Sequence, residues 1–310
     1  MIEMIFLGTS ASAPSIHRGL SAQVILHREY RFLVDCGEGT QRQILQSGLG
    51  FKRLNKILLT HGHLDHILGL GGMISTFARW EAIEQVEIYG SSWALERVHD
   101  LIFGVVLRGA RPQIQIDLIE VQPGIILEDD KFEVIAFPVF HRGPCLGYLF
   151  REKTRRPFLN EKAEALGIPQ GPERRDLVAG QPITLSDGRV IHPDQVLGPS
   201  QPGACLVHVG DTGQTDNLES LVKGADMLVI EATYLRSDED MAERFGHLTA
   251  AQAARLARDA NVHRLVLTHV SRRYHEAQII EEARAIFPET VVARDFDHFR
   301  ILSQDVQRET

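Results

Sequence analysis

The stretch Thr60-His61-Gly62-His63-Leu64-Asp65-His66 constrains this chain more than any other. Three imidazoles and a carboxylate fall within six residues, directly after the apolar run Ile57-Leu58-Leu59. A short apolar run bounded by a turn-like stretch reads as a buried strand. His61 and His63 leave its end two residues apart, on the same side of extended chain. Asp65 and His66 follow after a turn at Gly62 and Leu64. An extended pair followed by a displaced pair suits two neighbouring cations better than one. Nitrogen and oxygen donors without a thiolate are the ligand set of a hydrolytic zinc or manganese site.

Composition limits the rest. The 310 residues allow one large domain or two ordinary ones. A net charge of −8 argues against a wholly basic nucleic-acid-binding surface, though not against a local basic patch or phosphate contact through metal ions. No apolar run reaches the ~18 residues of a membrane span. The N-terminus lacks a signal peptide's layout, and Met1–Leu7 reads as a first strand. Cys36, Cys145 and Cys205 are too scattered for a thiolate zinc site or a disulfide framework, so a cytoplasmic, reducing setting is expected.

Strands are expected at 24–26 and 31–34 as a hairpin, then at 86–90, 114–121 and 132–137, the last leading to His141. Helices are expected at 41–45 and 94–98. The loop Gly8–Pro14 has small residues but no Walker lysine, so alone it reads as a tight turn. Residues 67–73 read as a glycine-rich helix start whose N–H groups lie near an anion held by the metals. Cys205–Thr212 and Met227–Thr233 read as strands with acidic ends, and 248–261 as an alanine-rich helix. Arg264-Leu265-Val266-Leu267-Thr268-His269 then repeats the design of Lys56-Ile57-Leu58-Leu59-Thr60-His61. An acidic strand end, Asp35 or Asp211, precedes each, which suggests two duplicated βα halves. Residues 151–203 differ, being crowded with proline and locally basic at Arg151, Lys153, Arg155, Arg156, Lys162, Arg174 and Arg175. They fit an extended insertion, either a linker or an arm that touches a polyanion.

Strands ending in Asp or His suggest that one sheet edge gathers the ligands, as the strand C-termini of open α/β sheets do. His61, His63, Asp65, His66, His141, Asp211 and His269 are too many for one tetrahedral ion and suit two, with Asp211 bridging. Two divalent ions ~3.5–4 Å apart can hold a shared hydroxide, lower its pKa toward neutrality and neutralise phosphodiester oxygens during in-line attack. His247 near a helix start and Glu231 at a strand end form an acid and its orienting carboxylate, although His247 alone reads as a surface helix cap.

Together these residues carry a family resemblance. His61-x-His63-x-Asp65-His66 with distant His141, Asp211 and His269 resembles the metallo-β-lactamase superfamily. Phe6–Ser10, Asp35–Gln41, Gly210-Asp211-Thr212, Glu231-Ala232-Thr233, His247-x-Thr249 and Leu267–Tyr274 resemble its ribonuclease Z branch, endonucleases of precursor tRNA. Gly167-Ile168-Pro169-x-Gly171-Pro172 and Leu185–Arg189 resemble that family's flexible tRNA-clamping arm. The resemblance implies one metallo-β-lactamase domain, an αββα sandwich, over 1–310, with the arm at 151–203 inserted in it. It implies one zinc on His61, His63 and His141, another on Asp65, His66 and His269, and Asp211 between them, with Mn2+ as an alternative ion. Asp65 becomes general base, Glu231 and His247 protonate the leaving oxygen, and Arg273, Gly171 and Pro172 contact substrate. It further implies a cytoplasmic homodimer, each arm gripping tRNA at the partner's active site. Leu64, Ile230 and the loop Phe51–Asn55 depart from the family pattern, and none of these removes a ligand.

The leading expectation is therefore a zinc phosphodiesterase that removes the 3′ trailer of tRNA precursors and leaves a 3′-hydroxyl. A small-molecule phosphodiesterase or sulfatase on the same fold is the second reading, disfavoured by the arm. An RNA-binding protein with a vestigial metal site is the third, disfavoured by the complete ligand set.

Overall fold

Alternation along the strands builds two sheets around a shared core. The computed structural model describes residues 1–80 and 83–309. In Ile2–Gly8 (β1), Ile2, Met4 and Phe6 enter one buried cluster while Ile5 and Leu7 enter another. That is the period-2 pattern of a strand covered on both faces. Ala22–His27 (β2) pairs antiparallel with β1 and Tyr30–Val34 (β3) antiparallel with β2, as the hairpin reading expected. Lys56–Leu58 (β4), Gln85–Gly90 (β5) and Gln115–Glu120 (β6) then add in parallel. Gly124–Glu128 (β7), Phe132–His141 (β8) and Gly143–Glu152 (β9) begin a second sheet. A short hairpin, Ile183–Thr184 (β10) with Val190–Ile191 (β11), belongs to the insertion. Cys205–His208 (β12), Met227–Glu231 (β13), Arg264–Thr268 (β14) and Thr290–Val292 (β15) extend the second sheet in parallel. His298–Leu302 (β16) and Asp305–Glu309 (β17) return beside β1. The sheets run β17-β16-β1-β2-β3-β4-β5-β6 and β15-β14-β13-β12-β9-β8-β7.

Their facing sides bury Phe6, Phe32, Phe132, Tyr148, Phe150 and Phe299 in one central layer. Thr40–Gln46 (α1), Leu64–Ile67 (α2), Leu70–Trp80 (α3) and Ser92–His99 (α4) contribute Ile44, Ile67, Met73 and Val98 to the cluster on the outer side of the first sheet. In the insertion, Asn160–Ala165 (α5) and Pro172–Val178 (α6) form helices. Glu219–Val222 (α7), Glu239–Phe245 (α8), Ala250–Asp259 (α9) and Glu276–Arg284 (α10) follow. Of these, α7, α9 and α10 cover the second sheet through Val222, Ala253, Ala257, Ile279 and Ala283. The result is the αββα sandwich. No described helix is long and apolar enough to cross a membrane. All three cysteines are free.

Several expectations need correction. β7 is half-exposed and lacks clean alternation, which hides it in the sequence. β9 carries Gly143, Pro144 and Gly147, which read as breakers, yet a side chain at Gly147 would collide with the Phe137 ring. The helix expected at 67–73 is two helices broken at Gly69, where the backbone presses on the carbonyls of Cys36 and Gly37. The Gly69 N–H is taken by the Cys36 carbonyl at 2.8 Å, and α3 starts only beyond it. A π-helical segment, Asp100–Leu107, follows α4 without a local sequence signal.

The insertion, expected to be extended, folds as a compact unit of its own, Glu152–Gly203, and the main unit comprises Met1–Arg151 and Ala204–Thr310. Ala163, Ile168, Leu177, Ile183, Ile191 and Val196 form a small core within it. Its prolines serve local geometry, Pro172 opening α6 where a missing N–H costs nothing. Arg156 donates to the carbonyls of Gly198 (2.9 Å) and Leu197 (3.2 Å). Arg174 likewise donates to Pro169 and Ile168, both at 3.0 Å. Two of the basic residues thus hold the insertion's own backbone together.

Candidate metal centre

The loop after β4 stays extended through His63 (φ −68°, ψ 151°), which caps α2 and swings Asp65 and His66 into its first turn. His141 is the last residue of β8. Asp211 follows β12 past Gly210, whose φ of +75° favours glycine and where a side chain would press on Thr60. His269 stands one residue beyond β14. The expectation that one sheet edge gathers the ligands is therefore corrected. His61, His63, Asp65 and His66 come from the first sheet, and His141, Asp211 and His269 from the second. Two facing sheets offer donors from both sides of one cleft, which a single edge cannot.

Hydrogen bonds fix which ring nitrogen of each histidine is available. Thr60 Oγ1 donates to Asp35 Oδ2 (2.8 Å), so at 3.0 Å from His61 Nδ1 it accepts that ring's proton. Thr233 Oγ1 donates to Glu231 Oε2 (2.5 Å) and accepts from His269 Nδ1 (2.9 Å) in the same way. His66 Nδ1 donates to Asp35 Oδ2 at 2.7 Å, and His141 Nδ1 to the Gly246 carbonyl at 2.6 Å. Every one of these rings therefore presents an Nε2 lone pair inward. Outer partners of this kind are what hold metal-ligating histidines in one tautomer.

The inward atoms fit divalent cations. His66 Nε2, His141 Nε2, His269 Nε2 and Asp211 Oδ1 are buried without a hydrogen-bond partner among the described residues. Most buried polar atoms have a partner, so four left open toward one another mark a place for a ligand. Asp211 Oδ2 lies 3.3 Å from His269 Nε2, 3.4 Å from His66 Nε2 and 3.8 Å from His61 Nε2. His61 Nε2 and His63 Nδ1 are 2.8 Å apart. Five sets of donors converge: His61-His63-His141, His61-His66-Asp211, Asp65-His66-His269, and two that include His247, with His141-Asp211 and with Glu231-His269. Burial and neighbouring imidazoles hold His61 below its usual pKa and His63 down to about 4, keeping both neutral and able to coordinate. Burial would raise the Asp65 pKa, but His269 and His66 outweigh it and keep the carboxylate charged.

Beside these, His247 Nδ1 donates to Glu231 Oε1 at 2.8 Å, and its ring centroid is 4.8 Å from that of His141. Glu231 also accepts from Thr212 N (2.8 Å) and Leu248 N (3.2 Å), so its carboxylate is saturated. Burial alone would strip the His247 proton, but the Glu231 charge lifts the ring to about 9. Asp65, His63, His141, Asp211, His247, His269 and Arg273 share one cleft of about 410 Å³. Gly171 and Pro172 lie in the insertion, at the start of α6.

The structure adds residues that the sequence reading passed over. Asp35, read only as a strand end, is a buried outer partner of His66, and its counterpart is Glu231 and not Asp211. Each buried carboxylate binds a threonine that accepts from one histidine (Asp35-Thr60-His61, Glu231-Thr233-His269) and binds a second histidine directly, His66 or His247. The Glu231-x-Thr233 spacing carried the signal. Ser12, in the small-residue loop, donates its N–H to Asp65 Oδ2 at 3.0 Å. Arg142, Tyr234, Phe245 and Arg272 also line the cleft.

A sandwich of two sheets with this His/Asp centre between their ends defines a metal-dependent hydrolase of the metallo-β-lactamase fold. Residues 182–270 match the model for the beta-lactamase superfamily domain, and residues 2–123 that for anti-Pycsar protein Apyc1. A Bradyrhizobium sp. (strain ORS 278) protein named ribonuclease Z is 46% identical over 97% of this chain and 100% of its own length. A ribonuclease Z of Methanothermobacter thermautotrophicus is 38% identical over 98% of each chain. The crystal structure of human tRNase Z, short form, superposes with a TM-score of 0.67 at 26% identity, covering 96% of this chain and 99% of that one. The chain belongs to the ribonuclease Z family.

Proposed function

We propose that this protein is a metal-dependent endoribonuclease that removes the 3′ trailer of precursor tRNA and leaves a 3′-hydroxyl on the tRNA. The observation that carries the reading is the convergence of seven His and Asp donors beside the His247–Glu231 pair in one cleft. In this reading His61, His63 and His141 would hold one zinc or manganese ion and Asp65, His66 and His269 a second, with Asp211 as a further donor. When bound, the ions supply Lewis acidity that lowers the pKa of water and offsets charge on phosphate oxygens. Asp65, steered by the Ser12 N–H, takes the proton of the attacking water. His247, protonated at neutral pH, presents Nε2–H to the departing O3′. Glu231 fixes the orientation of that ring and, with its four contacts, moves no proton itself. Arg273 on the cleft wall offers a phosphate contact, and Gly171 and Pro172 belong to an arm that binds the tRNA body. Cytoplasmic action is part of the same reading.

Metal-loaded protein incubated with a defined precursor should yield an intact trailer and a tRNA ending in a 3′-hydroxyl. Mononucleotides in place of the trailer would show an exonuclease, and faster turnover of small phosphodiesters than of precursor would favour the small-molecule alternative. The acid role gives a sharper expectation. His247→Ala should lower kcat on precursor tRNA by roughly 10²-fold, since the O3′ alkoxide needs a proton. Bis(p-nitrophenyl) phosphate, whose leaving phenolate needs none, should lose far less. Equal losses on both substrates would remove His247 from that role.

A homodimer fits an apolar surface on the main unit. Leu64 (53% exposed) and Leu68 (42%) stand beside Leu101 in one groove, and Val105 on the same π-helical segment is 70% exposed. A two-fold axis would bury the same patch from both subunits. Leu68→Glu combined with Val105→Glu should convert a dimer to a monomer in sedimentation velocity, and a monomeric wild type would overturn the assembly.

A further inference from the structure

Arg142 has no assigned part in the site, yet it is fixed beside the proton donor. It follows His141 and lines the cleft. Its Nη2 donates to the Arg244 carbonyl at 2.7 Å, at the end of α8. Its guanidinium lies over the Phe245 ring, 5.4 Å from the centroid. Phe245 and Gly246 connect that helix to His247, and Gly246 holds His141 through a 2.6 Å bond. Arg142 is therefore fastened to the loop that carries His247. Nε, Nη1 and the second Nη2 hydrogen have no protein partner among the described residues, so one of the two paired-hydrogen edges stays open, and the side chain is exposed at the cleft.

Chemistry gives this position a direction along the RNA. In an in-line displacement the attacking and departing oxygens lie on opposite faces of phosphorus, and the acid stands at the departing one. With a 3′-hydroxyl left on the tRNA, the departing oxygen is the O3′ of the last tRNA nucleotide. Groups fastened around His247 therefore face the retained strand and not the trailer. A guanidinium with a free fork edge is suited to a phosphate, which accepts two parallel N–H bonds. Packing on an aromatic ring limits the rotamer freedom lost on binding.

We infer that Arg142 is a substrate-positioning residue that grips the phosphodiester immediately 5′ of the scissile one, on the tRNA side, and so sets the terminal nucleotide against His247. This rests on the endonuclease reading and adds to it a polarity and a contact.

The test is a cycle on two sides of one contact, using the full-length, metal-loaded enzyme. One precursor RNA carries ordinary linkages. A second carries a neutral methylphosphonate one linkage 5′ of the cut, and a third carries it one linkage 3′. Arg142→Ala should lower kcat/KM on the ordinary RNA by roughly tenfold to a hundredfold, as loss of a charge-assisted pair does. The wild type should lose a similar factor on the 5′-modified RNA, a measurement that needs no variant to fold. On that RNA Arg142→Ala should add no further loss, whereas on the 3′-modified RNA its effect should persist in full. Arg142→Lys should recover part of the activity on the ordinary RNA only. Multiplying losses on the 5′-modified RNA would overturn the contact and leave Arg142 a brace for the His247 loop. An undiminished wild-type rate on that RNA would overturn it as well. Failure of the wild type to cut the ordinary RNA is a different result, which would sink the endonuclease reading and this inference with it.

Discussion

Asp65→Ala will lower kcat for precursor cleavage by about 10⁴-fold or more while binding of the precursor survives, because on the proposed mechanism one change removes a metal donor and a general base together. The side chain sits where both functions meet. Its Oδ2 is 3.5 Å from His269 Nε2 and 3.8 Å from His66 Nε2, and it accepts the Ser12 N–H at 3.0 Å. Affinity for tRNA depends on contacts spread over a much larger surface, so a gel-shift assay should still report a complex. Asp65→Asn supplies the matched control, since it keeps the shape and removes the basic oxygen. Cleavage near the wild-type rate in Asp65→Ala would rule out the proposed chemistry, whatever the fate of the other ligands.

Removing the insertion should separate substrate capture from chemistry. Deleting residues 153–202 and rejoining the ends with a short flexible linker should reduce kcat/KM on precursor tRNA by about 10³-fold, through loss of the second attachment point. Turnover of a small chromogenic phosphodiester should persist. The physical basis is that Glu152–Gly203 folds around its own core, so its loss leaves the two sheets and their central layer intact. Precursor processing that survived the deletion would show that the arm is not the tRNA clamp. Simultaneous loss of both activities, with a lower melting temperature, would show instead that the insertion supports the main unit.

Much of the centre was legible in the sequence because its first part is local. The His61-to-His66 spacing puts four imidazole and carboxylate donors together without any tertiary information. The repeat of a Thr-His ending at Thr268-His269 marks a second strand that brings a histidine to the same cleft. What the spacing could not state was which sheet each strand joins. His61 and His269 look like two ends of one rim, but they stand on facing sheets. The outer partners were less legible still. Asp35 looks like a twin of Asp211, yet it holds His66 from outside and its structural twin is Glu231. Arg142 and Phe245, separated by more than 100 residues, meet only through the pairing of the β8 end with the loop after α8.

By itself the sequence determined the chemistry available: imidazole and carboxylate donors, no thiolate, a basic proline-rich insertion and alternating strands to carry them. These are properties of residue type and short spacing, which survive any arrangement of the chain. Only the tertiary structure decided that the donors face one another, which nitrogen each ring offers and which carboxylates stand outside the centre. Those facts depend on contacts between residues far apart in the chain, and no local pattern records which strand ends will meet.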